Sequence, residues 1–301
     1  MDLKLPFFSV IIPTYARPRQ LSSCLQALTC LDYPRYRFEA IVVDDGSENP
    51  LKDVVEPFRH QLNLILLSQS NAGPATARNT GASQARGKFL AFTDDDCSPV
   101  PDWLKTLAKR FAATPDCAIG GRTLNSLRDN PFSTASQILI DYLYNYYNSD
   151  HNQAHFFTSI NFALPKDLIH EIGGFDATFS HAAGEDRELC HRWLNYGFQM
   201  ICASQAVVWH SHSLTWRNFW KQHFNCGRGA FLFQQALARN GCERGRMEPL
   251  SFYLNLMRAP FTLTKSARAP LLVALLFLTQ CANAAGYFAA VGGESLRSFS
   301  Q

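Results

Sequence analysis

Apolar residues in this chain fall into short unbroken runs, with longer stretches of helical spacing between them. Phe7 to Ile12 is such a run, ended by Pro13, and it predicts a strand buried on both faces. Leu21, Leu25 and Leu28 then repeat at helical spacing. Phe38 to Val43, Leu62 to Leu67 and Phe89 to Phe92 predict three more strands. Pro74 stands where a first helical position falls and Gly87 where a C-cap falls, which brackets a helix from Ala75 to Arg86. Its residues are small and Gly81 lies inside it. An interior glycine costs about 1 kcal/mol relative to alanine, so it predicts close packing against the sheet or a ligand. Pro101-Asp102 opens a further helix with Trp103, Leu107 and Phe111 on one face. This alternation predicts an α/β fold with a mostly parallel sheet.

Asn130 to Asp150 is rich in tyrosine (Tyr142, Tyr144, Tyr146, Tyr147), a stripe that suits packing or the flank of a sugar cleft. Phe157 to Leu164 reads as a strand and Gly173-Gly174-Phe175-Asp176 as a turn. A loop from His181 to Gly184 leads into Glu185-Asp186, at the head of a helix that buries Leu189 and Trp193 and stops at Gly197. Ala206 to Trp209 is strand-like, with His210 and His212 just after it.

The polar residues gather where strands end. Pro13-Thr14-Tyr15, Asp44-Asp45 and Asp94-Asp95-Asp96 each follow an apolar run, and in a parallel sheet these ends share one edge. Ligands of open α/β sheets bind outside the carboxyl ends of strands. Three adjacent carboxylates repel one another and need positive compensation. A hard divalent cation, Mg²⁺ or Mn²⁺, supplies it and can bridge to a phosphate; a solvated acidic turn is the plainer alternative. The first two loops would then grip a nucleoside and the third its diphosphate. No GxGxxG and no GxxxxGKS occurs.

Composition adds a boundary. The 301 residues are 47% hydrophobic and 18% charged, enough for a large core. The net charge of +3 hides an asymmetry: Thr215 to Pro270 holds nine Lys/Arg (Arg217, Lys221, Arg228, Arg239, Arg244, Arg246, Arg258, Lys265, Arg268) against two Glu. Its aromatic–basic opening, Trp216 to Arg228, suits a membrane–water interface. After Arg268 no charge appears until Glu294, a length that could span a bilayer, although Thr279, Gln280 and Asn283 dilute its second half. A helix in the interface, or one packed on the basic helices, fits better than a span; a buried helix of a soluble subdomain is the alternative. No nucleic-acid motif accompanies the basic block, so nucleic acid is not an expected partner. The division predicted is 1–214 catalytic and 215–301 helical and membrane-associating. Nine cysteines without a CxxC, behind a Met1 to Lys4 opening unlike a secretory signal, fit reduced thiols in the cytoplasm. Cys97 reads as a small buried filler.

Taken in order, these segments resemble family 2 glycosyltransferases of the GT-A fold. The likeness runs from Phe7 to His212. Ser9 to Tyr15 is similar to the family's opening strand and loop, and Ile41-Val42-Val43-Asp44-Asp45-Gly46-Ser47 to its nucleoside-binding VDDGS segment. Asn71-Ala72-Gly73 with Ala77-Arg78-Asn79-Thr80-Gly81 is similar to its NxGxxxARNxG helix, and Asp94-Asp95-Asp96 stands at the DxD site. Gly173 to Asp176 and Gly184-Glu185-Asp186 resemble the acceptor-side GGFD and catalytic ED motifs. Each is weak alone; six in register are specific.

The resemblance implies inverting transfer from a nucleotide-diphosphate sugar to an acceptor hydroxyl, with a divalent cation, in polysaccharide, glycolipid or cell-envelope glycan synthesis. It implies that Asp45 accepts a hydrogen bond from the donor base, framed by Pro13, Thr14 and Tyr15 with Arg17 nearby, and that Arg78, Asp94 and Asp95 belong to the nucleotide-sugar site. Asp96 is the implied main metal ligand, with Asp94 as partner and His210 and His212 as further candidates. Asp95 departs from the family's commonly non-acidic middle residue. Asp186 is the implied base: a helix N-terminus favours its ionised form, and neighbouring Glu185 raises the proton affinity of the pair. A nucleotidyltransferase-like enzyme is the rival reading, although it should carry a Gly-rich loop where Pro13 to Arg17 stands. A non-catalytic membrane-bound scaffold is the other. A sugar or lipid-linked acceptor at the inner face of the cytoplasmic membrane completes the expectation.

Overall fold

A computed structural model describes residues 5–179, 183–243, 245, 247–263 and 267–298. The Met1 to Lys4 opening, His181 and Ala182 of the predicted His181 to Gly184 loop, and the cations Arg244, Arg246 and Lys265 lie outside them. Eight strands form one sheet: β1 (Phe8–Thr14), β2 (Phe38–Asp44), β3 (Leu64–Ser68), β4 (Phe89–Phe92), β5 (Cys97–Pro99), β6 (Ala118–Asn125), β7 (Phe162–Pro165) and β8 (Met200–His210). The helices are α1 (Pro18–Thr29), the short α2 (Lys52–Val55), α3 (Pro74–Gln84), α4 (Trp103–Ala113), α5 (Pro131–Tyr147), the short α6 (Lys166–Glu171), α7 (Glu185–Asn195), α8 (Trp216–Arg239), α9 (Leu250–Leu263) and α10 (Ala269–Ser298).

The sheet order is β3-β2-β1-β4-β7-β6-β8-β5. β3, β2, β1 and β4 are mutually parallel, as the buried runs predict, and β7 is antiparallel to both β4 and β6. The whole sheet is therefore mixed. Alternation along each strand divides the core between two faces. Phe8, Val10 and Ile12 of β1 pack with Leu21 and Leu25 of α1 and Trp103 and Leu107 of α4. Ile11 faces the other way, toward Ala75, Ala77 and Ala82 of α3 and Leu189 and Trp193 of α7.

The helix with the interior glycine packs on the sheet: a Cβ at Gly81 would stand 2.6 Å from Ile11 Cγ2. Several boundaries differ from expectation: β8 starts at Met200 rather than Ala206 and takes in His210, and β3 starts at Leu64 rather than Leu62. β1 continues through Pro13 to Thr14, because β4 pairs only as far as Ile11 and the missing proline N–H falls beyond that ladder. α3 ends at Gln84, so Gly87 is not its C-cap. Gly87 instead lies against the β1 backbone, where a side chain would strike Ser9 N and Phe8 C, and its N–H donates to Ser9 Oγ at 2.8 Å. The strand expected over Phe157 to Leu164 starts only at Phe162, after a 3-10 turn at Ser159–Asn161.

The C-terminal helices share a third cluster with α5: Ala135 and Ile138 meet Phe219 of α8, Leu256 of α9 and Leu272, Leu275 and Leu276 of α10. The α8–α10 approach is close, since a side chain at Gly227 would strike Asn283 O and one at Gly286 would strike Phe224 O. Three tyrosines of the α5 stripe reach this side as well, while Tyr144 packs against Phe157 and bonds Thr158. Tyr142 Oη donates to Phe252 O at 2.8 Å, and Tyr146 and Tyr147 both donate to Glu248. Ala269–Gly293 is long and apolar enough to cross a membrane, with mean hydropathy 1.6 and 33% of its most apolar window buried.

Candidate active site

Because β1, β2 and β4 are parallel neighbours, the loops after them meet at one edge of the sheet. After β1, Tyr15 is exposed, Ala16 takes a positive φ of 54°, and its N–H donates to Ser47 Oγ in the loop after β2. A non-glycine residue in that region is held there by its surroundings, as is common around functional sites. Pro13 and Thr14 lie buried inside the strand, so Tyr15, Ala16 and Arg17 are the open members of this loop.

Asp45 is 5% exposed and turns toward the start of α3. Its carboxylate accepts from Ala72 N and Gly73 N, both at 2.9 Å, and from Gln69 Nε2 at 2.8 Å. These bonds meet the orphan N–H groups ahead of a helix. They occupy three of about four lone-pair directions and leave one for a further donor. Asp44 is spent locally, accepting from Ser47 N and Oγ.

The three carboxylates after β4 have different sets of partners, with Arg17 shared by two of them. Asp94 Oδ1 accepts from Arg78 Nη2 at 2.9 Å. Asp95 accepts from Thr14 Oγ1 at 2.7 Å and pairs with Arg17 at 3.2 Å. Asp96 pairs with Arg17 at 3.3 Å and with His210 Nε2 at 3.2 Å. Burial pushes Asp95 up to about 6 against the pull of Arg17. Burial also works to raise Asp96, but the His210 hydrogen bond and the charges of His210, His212 and Arg17 hold it far below the usual carboxylate range. Burial lowers His210 and its bond to Asp96 more than restores it, whereas His212, ring-stacked on His210 at 4.9 Å, is driven down to about 4 by burial and by its neighbour.

A cation fits this corner. The ligand atoms of Asp96, Cys97 and His210 lie within 4.8 Å of one another, and a cavity of about 170 Å³ lined by Asp96, Ser98, Ser211 and Arg19 opens beside them. Burial pushes the Cys97 thiol up, leaving carboxylate oxygen and imidazole nitrogen as the donors. Asp94, turned toward Arg78, and His212 stand outside this group.

α3 carries the link to the second acidic pair. Arg78, 3% exposed, donates from Nη1 to Glu185 Oε1 and from Nη2 to Asp94, both at 2.9 Å. The next residue, Asn79, clamps the glycine turn: Oδ1 accepts from Phe175 N and Nδ2 donates to Phe175 O, each at 2.8 Å. Gly174 (φ +74°) faces that amide, and a Cβ there would stand 2.6 Å from Asn79 Oδ1. Gly184 precedes α7 in the left-handed region. Glu185 is 3% exposed and also accepts from Ala183 N. Asp186 is half-buried and accepts from Ser159 N at 3.1 Å on Oδ2. Burial and the charge of Asp186 push Glu185 up to about 7 against Arg78, and burial raises Asp186 against the same cation.

Sequence reading passed over Gln69, Asn79, Ser159 and Asn161. Asn161 joins three elements, accepting from Trp103 Nε1 and donating to Arg122 O and Ala206 O. Single polar residues in apolar runs carry no periodic signal. Only the place of Asn79 beside Arg78 inside a recognised motif pointed at it.

A mixed sheet with acidic loops at the carboxyl ends of its parallel strands has the architecture of GT-A-type proteins. Among solved structures it is similar to a Pyrobaculum calidifontis mannosyltransferase in complex with GDP-Man and Mn²⁺, with TM-score 0.59, 21% identity, and coverage of 98% of this chain and 81% of that one. It is also similar to Staphylococcus aureus TarS 1-349 in complex with UDP-GlcNAc, with TM-score 0.55, 18% identity, and coverage of 97% and 92%. The model of glycosyl transferase family 2 matches residues 9–173, and the chain belongs to that family. It is 28% identical over 232 residues to glycosyltransferase AglE of Haloferax volcanii, covering 76% of this chain and 74% of AglE. It is 25% identical over 236 residues to the probable glycosyltransferase YdaM of Bacillus subtilis, covering 75% of this chain but 56% of YdaM.

Proposed function

We propose that this chain transfers a sugar, with inversion, from a nucleotide-diphosphate sugar to an acceptor hydroxyl in polysaccharide, glycolipid or cell-envelope glycan synthesis. The observation that carries the reading is the Arg78 bridge, which holds Asp94 at the donor edge and Glu185 beside Asp186 on a single guanidinium. Tyr15, Arg17, Thr14 and Asp45 form the nucleoside side, with Asp45 acting chiefly by fixing the start of α3. Asp96 and His210 would hold Mn²⁺ or Mg²⁺, which when bound neutralises charge developing on the diphosphate. Asp186 takes the proton of the acceptor hydroxyl. It is the better exposed of the α7 pair, and burial raises its proton affinity toward what a base needs near neutrality. Glu185, bound to Arg78 and Ala183 N, positions it. Attack from the Asp186 side, opposite the departing diphosphate, inverts the anomeric carbon.

The test is incubation with UDP-, GDP- and dTDP-sugars and Mn²⁺, following nucleotide release and the anomeric configuration of the product. Release of a nucleoside diphosphate with inversion is expected. Pyrophosphate release from nucleoside triphosphates would instead indicate a nucleotidyltransferase.

The same reading places the chain at the inner face of the cytoplasmic membrane, within reach of a lipid-linked acceptor. It draws support from the outward Leu271, Phe277 and Phe288 of α10 and from Trp216, Arg217, Trp220 and Lys221, all exposed on α8. The catalytic part is 1–214 and the membrane-facing part 215–301. Fractionation tests this: release by salt or alkaline carbonate means peripheral attachment, and recovery in the soluble fraction at low salt contradicts it.

A further inference from the structure

A second cavity lies at the opposite edge of the sheet, where β1 and β4 begin. Phe7 precedes β1, Lys88-Phe89 opens β4, and α4 closes the side. The seven residues of β1 put roughly 23 Å between this edge and the acidic loops. Its volume is about 570 Å³, within the roughly 300–1,000 Å³ of small-molecule sites. The floor is Phe7 and the stacked pair Phe89 and Phe111, whose rings lie 3.8 Å apart. Among the described residues four cations line it, Arg37, Lys88, Lys105 and Lys109, and no acidic, amide or hydroxyl side chain does. Lys105 is paired with Asp32, whereas Arg37, Lys88 and Lys109 make no ion pair among the described residues.

That lining selects a ligand class. Sugars and bases need directional polar partners, which the described lining does not offer, and an apolar floor penalises any group left unpaired. An alkyl chain needs only area, and an anionic head would meet the cations at the rim. We infer that this cavity binds a single-chain anionic amphiphile, its hydrocarbon on Phe7, Phe89 and Phe111 and its head among Arg37, Lys88 and Lys109. It is a site separate from sugar transfer.

Calorimetric titration of the full chain with octyl, decyl and dodecyl phosphate, below micelle formation, tests it. One molecule should bind per chain, tightening about fourfold per added methylene until the cavity is full. Dodecanol should bind at least about tenfold more weakly than dodecyl phosphate. K88Q/K109Q should show the same loss, and A112W, which fills the mouth, should abolish binding while both variants keep the wild-type melting temperature. Equal affinity for dodecanol, binding unchanged in A112W, or binding only to intact anionic vesicles would each overturn the inference.

Discussion

Two acidic clusters face each other across Arg78, and the chain treats them in opposite ways. After β4, three carboxylates share out several positive and hydrogen-bonding partners: Asp94 has Arg78, Asp95 has Thr14 and Arg17, and Asp96 has His210 and the same Arg17. Asp96, the last of the three, is thereby held ionised. At the head of α7, two carboxylates have one cation between them, and Glu185 and Asp186 are both pushed toward holding a proton. Three carboxylates in one place and two in the other thus end with opposite proton affinities at Asp96 and at the α7 pair, as the proposed cation and base each need. What separates them is the number and closeness of positive partners, not residue type.

The largest expected break of this comparison is D186N, nearly isosteric at the base. Turnover should fall about 10²–10⁴-fold with little change in melting temperature. A mild D186N beside a crippled E185Q would reverse the two roles. Removing the shared cation comes next. R78M leaves two carboxylates facing each other across a buried gap, and loss of one partner of a buried pair costs about 3–5 kcal/mol; denaturant unfolding should register it. The pH profile sharpens the contrast. A base with raised proton affinity is charged only above its raised pKa, so kcat falls as pH drops through that value. The acid limb should therefore lie above the ordinary carboxylate value of about 4, because burial raises Asp186. A rate flat down to pH 5 would contradict it. The smallest effect is R17A, since the Arg17 side chain is 49% exposed and solvent screens its pairs; stability should change by no more than about 1 kcal/mol.

The first cluster was easier to read from sequence than the second. An apolar run ending in three aspartates signals its own position, and parallel strands carry such ends to one edge. The partners could not be read that way, because Arg78 meets Asp94 and Glu185 only after α3 lies across the sheet, and His210 reaches Asp96 from β8, far along the chain. Pro13 misled as a strand terminator because the extent of pairing with β4 is a tertiary fact. Gly87 misled as a cap because a glycine needed for close approach to Ser9 looks identical in sequence to one needed for a left-handed turn. The apolar C-terminal stretch announced a long helix, but its glycine-to-backbone contact with α8 depends on Gly227 and Gly286 meeting in space.

The most direct measurement is nucleotide binding by calorimetry, with and without Mn²⁺, for D96N and D186N side by side, using whichever nucleoside diphosphate the wild-type chain releases. The account predicts that D96N loses the Mn²⁺-dependent part of binding while D186N binds as the wild type and fails to transfer. Mn²⁺-dependent binding intact in D96N, or lost in D186N, would contradict the division of work between the two clusters.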